Sequence, residues 1–171
     1  LVSGTAYPTS CSFKDFSIYS NAASSVAFDN RTSYSFYRNI AILLRAASTN
    51  STAFFLDGDT SGGSGPYYNT YIKCIAQGAG TGQIGFDFGA TTPVFSGPNA
   101  NIIIGGRVGQ CSIGYRIGGT GNQVLGVTLE GCTTGMQFRG RSVVEGVQNI
   151  ASIIYAEGCT NLVVLDSGSI G

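Results

Sequence analysis

Three cysteines keep the same company along the chain. Cys132 follows Cys111 by 21 residues, and Cys159 follows Cys132 by 27. Ten residues before each stands an asparagine: Asn101, Asn122 and Asn149. Directly after each comes a small hydroxyl residue: Ser112, Thr133 and Thr160. Four residues after each begins an apolar-x-apolar triplet: Tyr115-Arg116-Ile117, Met136-Gln137-Phe138 and Val163-Val164-Leu165. A fixed register of this kind is the signature of a repeat architecture. The pattern extends backwards through the triplets Phe86-Asp87-Phe88, Phe54-Phe55-Leu56 and Val26-Ala27-Phe28. A second strand-like run precedes each triplet, beginning near Phe13, Ile40, Tyr71, Ile102, Gln123 and Ile150, which gives six repeats.

The triplets alternate with the period of a strand, and glycine-rich turns separate them. No segment carries a helical stripe. The repeats differ in length, so insertions belong in loops while strands keep register. This predicts an all-β, right-handed, single-stranded parallel β-helix of about six coils, stacked at about 4.8 Å. A β-sandwich or β-prism is the alternative, but the hairpin turn signals of a sandwich are missing. Stacking predicts columns. The cysteines should face inward at one corner, and the asparagines should form a ladder at a turn, themselves in left-handed backbone. Gly114 and Gly135 should share another corner, and Val127, Leu129, Tyr115, Ile117, Met136 and Phe138 should face the core.

Composition excludes several functions. Glycine supplies 26 of 171 residues, His and Trp are absent, and nine basic residues balance nine acidic ones. Without His, neither Ser-His-Asp nor Cys-His catalysis is available, nor a His-ligated zinc. Zero net charge leaves no nucleic-acid footprint. No apolar run approaches a membrane span, so no membrane insertion is expected. Five cysteines, none in a CxxC, read as buried free thiols of a protein folded in a reducing compartment, with no metal and no cofactor. The sequons at Asn30 and Asn50 carry little weight. Gly80-Thr81-Gly82-Gln83-Ile84-Gly85 matches GxGxxG but runs into a strand triplet, so it reads as a turn. The whole chain, 1–171, is expected to be one β-helix segment of a longer chain, because neither end shows a cap.

The repeat Asn-x(9)-Cys-[Ser/Thr]-x(2)-apolar-x-apolar resembles the right-handed parallel β-helix of bacteriophage tailspikes and tail fibres, within the wider pectate-lyase-like superfamily. The resemblance covers about residues 11–171 and rests on repeat grammar. It implies a homotrimeric spike on a virion tail, assembled in the host cytoplasm beside other virion tail proteins. It also implies recognition, often with cleavage, of bacterial surface polysaccharide. The Asn-Thr-Asp, Asp-Asp and Gly-His-Gly elements of polygalacturonases are missing. A shaft without enzymatic activity and a secreted cellular lyase or hydrolase are the competing expectations.

Candidate chemistry then falls to carboxylates. Glu130 and Glu157 occupy one column in adjacent repeats and should point outward as an acid/nucleophile pair, like charge raising one pKa. The bland alternative is a pair of solvated carboxylates before a turn. Asp57 and Asp59 flank Gly58 beside the loop from Thr60 to Tyr71, where Tyr67, Tyr68 and Tyr71 could stack on sugar faces. Asp87, Arg116 and Gln137 sit at the outward centre of successive triplets. There they should form an ion pair or grip acidic sugars.

Overall fold

The computed structural model describes residues 10–56, 66–89, 97–139 and 149–166. Among these there is no helix, hence none long and apolar enough to cross a membrane. The chain is all-β. Two strands of nine residues, β1 (Ser12–Ser20) and β3 (Phe36–Leu44), alternate with β2 (Val26–Asn30) and β4 (Thr52–Leu56). Strands then come in threes. They are β5 (Thr70–Ile72), β6 (Ile75–Gln77) and β7 (Ile84–Phe88), then β8 (Ile102–Ile104), β9 (Arg107–Gly109) and β10 (Ile113–Ile117). Next are β11 (Gln123–Leu125), β12 (Thr128–Glu130) and β13 (Thr134–Phe138). Last are β14 (Ile150–Ser152), β15 (Tyr155–Glu157) and β16 (Asn161–Leu165).

Every pairing between these strands is parallel. One sheet runs β14-β11-β8-β5-β3-β6-β9-β12-β15, with β1 on the free side of β3. The other runs β16-β13-β10-β7-β4-β2. Each repeat adds one strand to the second sheet and either one long strand or two short ones to the first. This architecture is compatible with a β-helix, and among the described residues there is none of the antiparallel hairpins a sandwich would need.

The split of the first sheet has a local cause. A left-handed residue divides the two short strands in every later repeat: Lys73, Gly105, Gly126 and Ile153. Asp15 and Asn39 hold the same conformation inside β1 and β3. The predicted run therefore contains two strands and a bend. That bend shifts the phase of the alternation, so Ile40 looked like a strand start although the register places Phe36 opposite Thr70. The first triplet is also two residues further on: Phe28, not Val26, pairs with Phe54. A slip of two keeps a strand on the same face, and the polar Asn30 at the third position hid the true frame.

The core lies between the sheets. Phe28, Phe54, Phe86, Tyr115, Met136 and Val163 form one inward column. Phe13, Tyr37, Tyr71, Ile103, Val124 and Ala151 form a second. Val127, Leu129, Ile117 and Met136 are buried as expected, and Phe138 packs against them. All five cysteines are free thiols. Cys111 and Cys132 are buried at one corner and Cys159 half-buried beneath them. Burial pushes the thiol of Cys74 up to about 11 and that of Cys111 up to about 12.

The asparagine ladder exists and is longer than expected. Asn101 Nδ2 donates to Asn122 Oδ1 at 3.0 Å, and Asn69 Nδ2 to Asn101 Oδ1 at 3.0 Å. The backbone N–H of Asn122 donates to Asn149 Oδ1 at 2.8 Å, and that of Ser35 to Asn69 Oδ1 at 2.9 Å. Cys11 N–H donates to Ser35 Oγ at 3.1 Å. Before Cys11, Ser35, Asn69, Asn101 and Asn122 the left-handed residue is the preceding one (Ser10, Tyr34, Tyr68, Ala100, Gly121), not the ladder member itself. Gly114 and Gly135 also sit differently from expectation: they lie inside β10 and β13, as Gly85 does in β7, rather than at a corner. A Cβ on Gly114 would come within 2.6 Å of Leu129 Cδ2 and 2.5 Å of the Gly135 carbonyl oxygen. Glycine there lets the second sheet approach the first.

Asn30 replaces an apolar residue in the column of Leu56, Phe88 and Ile117 and is buried. Its amide nitrogen donates to the Tyr71 hydroxyl, and its Oδ1 accepts from Tyr37 at 2.8 Å and from Thr32 N–H at 2.9 Å. The stacked rings of Tyr37 and Tyr71 thus carry the partners that a buried amide requires. An Asn30 so enclosed is no glycosylation acceptor in the folded chain.

Candidate functional site

The outer face of the β6-β9-β12-β15 ladder carries the first candidate site. Register stacks Gln77, Gly109, Glu130 and Glu157 in one outward column. Arg107 forms an ion pair with Glu130, both side chains well exposed. Such a pair stabilises by no more than about 1 kcal/mol. The Tyr155 hydroxyl donates to Glu157 Oε2 at 3.0 Å, which raises the phenol's pKa. Gln77 Nε2 donates to Gln110 Oε1 at 3.0 Å. The two glutamates expected to act together are therefore neighbours, each with a polar partner of its own.

At the corner that follows this face lies an open depression of about 460 Å³. Thr81, Gln110, Ser112 and Thr133 line it together with the backbone of Gly80 and Gly131. Two of these are the hydroxyl residues that follow the repeat cysteines. The turn that supplies Gly80 and Thr81 is held by Gln83, which is fully buried. Its Oε1 accepts from the N–H groups of Ala79 at 2.7 Å and Gly80 at 2.8 Å. Its Nε2 donates to the carbonyls of Arg45 at 2.7 Å and Ser48 at 2.9 Å. Gly82 N–H donates to Ser112 Oγ at 2.8 Å. The GxGxxG segment is thus a clamped corner leading into β7, not the opening of a helix.

On the second sheet, Asp87, Arg116 and Gln137 share an outward column as expected. The contact is stronger than an exposed cross-strand pair. Arg116 Nε donates to Asp87 Oδ1 at 2.9 Å and its terminal nitrogen to Oδ2. Asp87 is only 2% exposed. A bidentate pair this enclosed is committed to the fold. Gln137 turns the other way, donating to Asp166 at 3.0 Å.

The tyrosines separate. Tyr71 belongs to the core, stacked on Tyr37 at 4.6 Å, and presents no ring to the surface. Tyr67 is half-buried and bridges to Asn99. Tyr68 alone of the three is strongly exposed, at 55%, with φ +56°. Its ring stacks at 5.1 Å on that of Tyr34, which is 60% exposed with φ +55°. Each left-handed backbone at a bulky L-residue costs about 1–2 kcal/mol. The ring pair returns only about 0.5–1.5 kcal/mol. Asp57 and Asp59, and the loop between them and Gly65, lie outside the described residues.

Sequence reasoning missed Tyr34, Gln110, Thr81 and Arg107. Gln110 carries a readable signal, since it stands immediately before Cys111 of a repeat column. Among the described residues no cluster of three or more metal-ligating side chains occurs. The chain matches no family model, and neither a curated protein nor a solved structure is significantly similar to it.

Proposed function

We propose that this chain is a right-handed, single-stranded parallel β-helix of about six coils, part of a homotrimeric bacteriophage tailspike or tail fibre that recognises bacterial surface polysaccharide. The observation that carries this reading is the open polar face formed by the Glu130–Glu157 column and the adjoining depression. It runs along the stack and is lined by hydroxyl, amide and carboxylate groups. It has no deep apolar pocket of the kind a small drug-like ligand fills. An extended chain of polar sugars fits that shape. Thr81, Ser112, Thr133 and Gln110 would exchange hydrogen bonds with sugar hydroxyls, and Glu130 and Glu157 would supply any acid chemistry.

The test is retention on immobilised capsular and O-antigen polysaccharides, with reducing ends assayed in the same samples. Wild type is expected to be retained, and Gln110→Ala plus Thr133→Ala to weaken retention at least tenfold. If the chain cleaves, Glu130→Gln plus Glu157→Gln stops release of reducing ends while retention persists. Wild type that is neither retained nor releases oligosaccharide from any of them overturns the reading.

A second reading, a shaft segment without a glycan site, is favoured by one specific observation. Every candidate carboxylate among the described residues already has a protein partner: Glu130 has Arg107, Glu157 has Tyr155 and Asp87 has Arg116. This reading predicts that the same substitutions leave adsorption unchanged.

A further inference from the structure

The corner preceding the ladder residues is unlike the other corners. Its left-handed residues are Ser10, Tyr34, Tyr68, Ala100 and Gly121, with φ between 52° and 67°. They are tied in register: Tyr34 N–H donates to the Tyr67 carbonyl at 2.8 Å, Tyr68 N–H to that of Asn99 at 3.1 Å, and Ala100 N–H to that of Thr120 at 3.0 Å. Elsewhere among the described residues the left-handed positions are held by Gly, Asn, Asp and Ser, with Lys73, Gln110 and Ile153 as the exceptions. Among the described residues, aromatic rings take such positions at this corner alone. Folding alone does not favour that choice, because one exposed ring contact does not offset two strained bulky residues.

The column changes size abruptly. Two stacked rings are followed by the methyl of Ala100 and then by the bare Gly121. The result is a step one ring deep, with Tyr68 as its wall. Polar groups edge it. Asn99 is exposed, with its Oδ1 3.6 Å from where a Cβ of Gly121 would stand, and Thr120 is half-buried beside it. Asn99 also bridges to both Tyr67 and Thr120, so the edge is held by the sheet ladder.

We propose that this step is a pyranose-binding subsite. The apolar C–H face of one sugar ring lies against Tyr68 over Ala100 and Gly121, and its hydroxyls meet the Asn99 amide and the Thr120 hydroxyl. Tyr34 backs the wall from behind. A neutral hexose or deoxyhexose suits the site, because every described side chain lining the step is uncharged. The subsite rests on the glycan-recognition reading and adds a contact at a corner separate from the Glu130–Glu157 face.

Asparagine is the discriminating substitution, because it accepts left-handed backbone and removes the ring. The full chain and its Y68N, Y34N/Y68N and Y68F variants would be compared. Saturation-transfer NMR would use methyl glycosides of glucose, galactose, rhamnose and N-acetylglucosamine. Retention would be read on the same immobilised polysaccharides. The expected result is loss of glycoside signal and at least tenfold weaker retention for Y68N, at a Tm equal to or above wild type. Y68F should stay within threefold of wild type. Wild-type retention with unchanged retention for Y68N overturns the subsite and leaves the glycan reading standing. A Y68N that binds normally but melts earlier assigns the ring pair to packing alone. A wild type that binds neither glycoside nor polysaccharide overturns both.

Discussion

The earlier and later repeats fill one scaffold in two ways. From Phe13 to Tyr115 the interior is a double stack of rings. Phe13, Tyr37 and Tyr71 stack at 5.4 and 4.6 Å, and Phe54, Phe86 and Tyr115 at 4.3 and 5.1 Å. From Val124 on, the same columns hold Val124, Ala151, Met136 and Val163. The third inward column compensates: Ala76 faces the ring-filled repeat and Leu129 the slimmer one. The exchange holds between the third and fifth repeats, whereas Ile42 lies beside the rings of the second and the last repeat is small in all three columns, with Ala151, Val163 and Ala156. Glycine follows the same rule. Buried Ala53 precedes Phe54, but Gly114 precedes Tyr115, where Leu129 now reaches across.

The sharpest way to break this comparison is to truncate both fillings. Phe86→Ala, with a ring on either side, should cost about 3–5 kcal/mol in urea unfolding. Met136→Ala should cost nearer 2 kcal/mol, the low end for its class, because its neighbour Val163 is open and can settle into the space. Equal costs would mean that the two halves are packed alike. Asp87→Ala breaks the enclosed pair that joins the third and fourth repeats. It should cost roughly 3 kcal/mol, the low end for a buried pair, since Arg116 keeps some solvent. A loss below 1 kcal/mol would reduce that pair to surface decoration.

Next in size, Gly114→Ala should destabilise by about 1–3 kcal/mol through overpacking. Pairing it with Leu129→Ala should recover part of the loss if the two residues share one volume. The smallest effect is on pH. Cys74 and Cys111 have folded values of about 11 and 12 against an ordinary 9.0. Above pH 9 the unfolded chain loses protons that the fold retains, so stability is intact below pH 9 and falls as pH rises towards 11–12. The loss should be about 0.8 kcal/mol per thiol by pH 9.5. Cys111→Ala should flatten the urea midpoint between pH 8 and 9.5, and an unchanged slope would sink the assignment.

The later repeats were legible because Asn, Cys and the triplets recur there with minimal corners. The earlier ones were not, for physical reasons that can be named. Ser35 fills a ladder position with a hydroxyl, which accepts the same N–H as an amide would. Asn69 is a full ladder member, yet Ala79 stands ten residues later where the later repeats have cysteine, and extra residues then delay β7. Asn30 masked a triplet because two tyrosine hydroxyls satisfy it in the core. The in-register glutamates were read correctly from a near-repeat of five residues. Their separate engagement by Arg107 and Tyr155 was not, since that depends on diagonal neighbours rather than on column position. Tyr71 and Tyr68 are three residues apart in one segment, and only the bend between them decides that one is core and the other surface.

The ladder that begins at Cys11 has a direction. At each step an N–H of the earlier repeat donates to a side-chain oxygen of the next: Cys11 to Ser35, Ser35 to Asn69, then Asn101, Asn122 and Asn149. The side-chain amides also point back: Nδ2 of Asn69, Asn101, Asn122 and Asn149 donates to the carbonyls of Thr32, Pro66, Pro98 and Gly119 in the repeat before. Along the forward bonds each polarises the one after it, while the backward bonds tie the same amides to the earlier turn. In a molecule built from parallel strands, whose interstrand bonds run from repeat to repeat in both directions, Asn69, Asn101 and Asn122 are thus each gripped by the repeats on both sides.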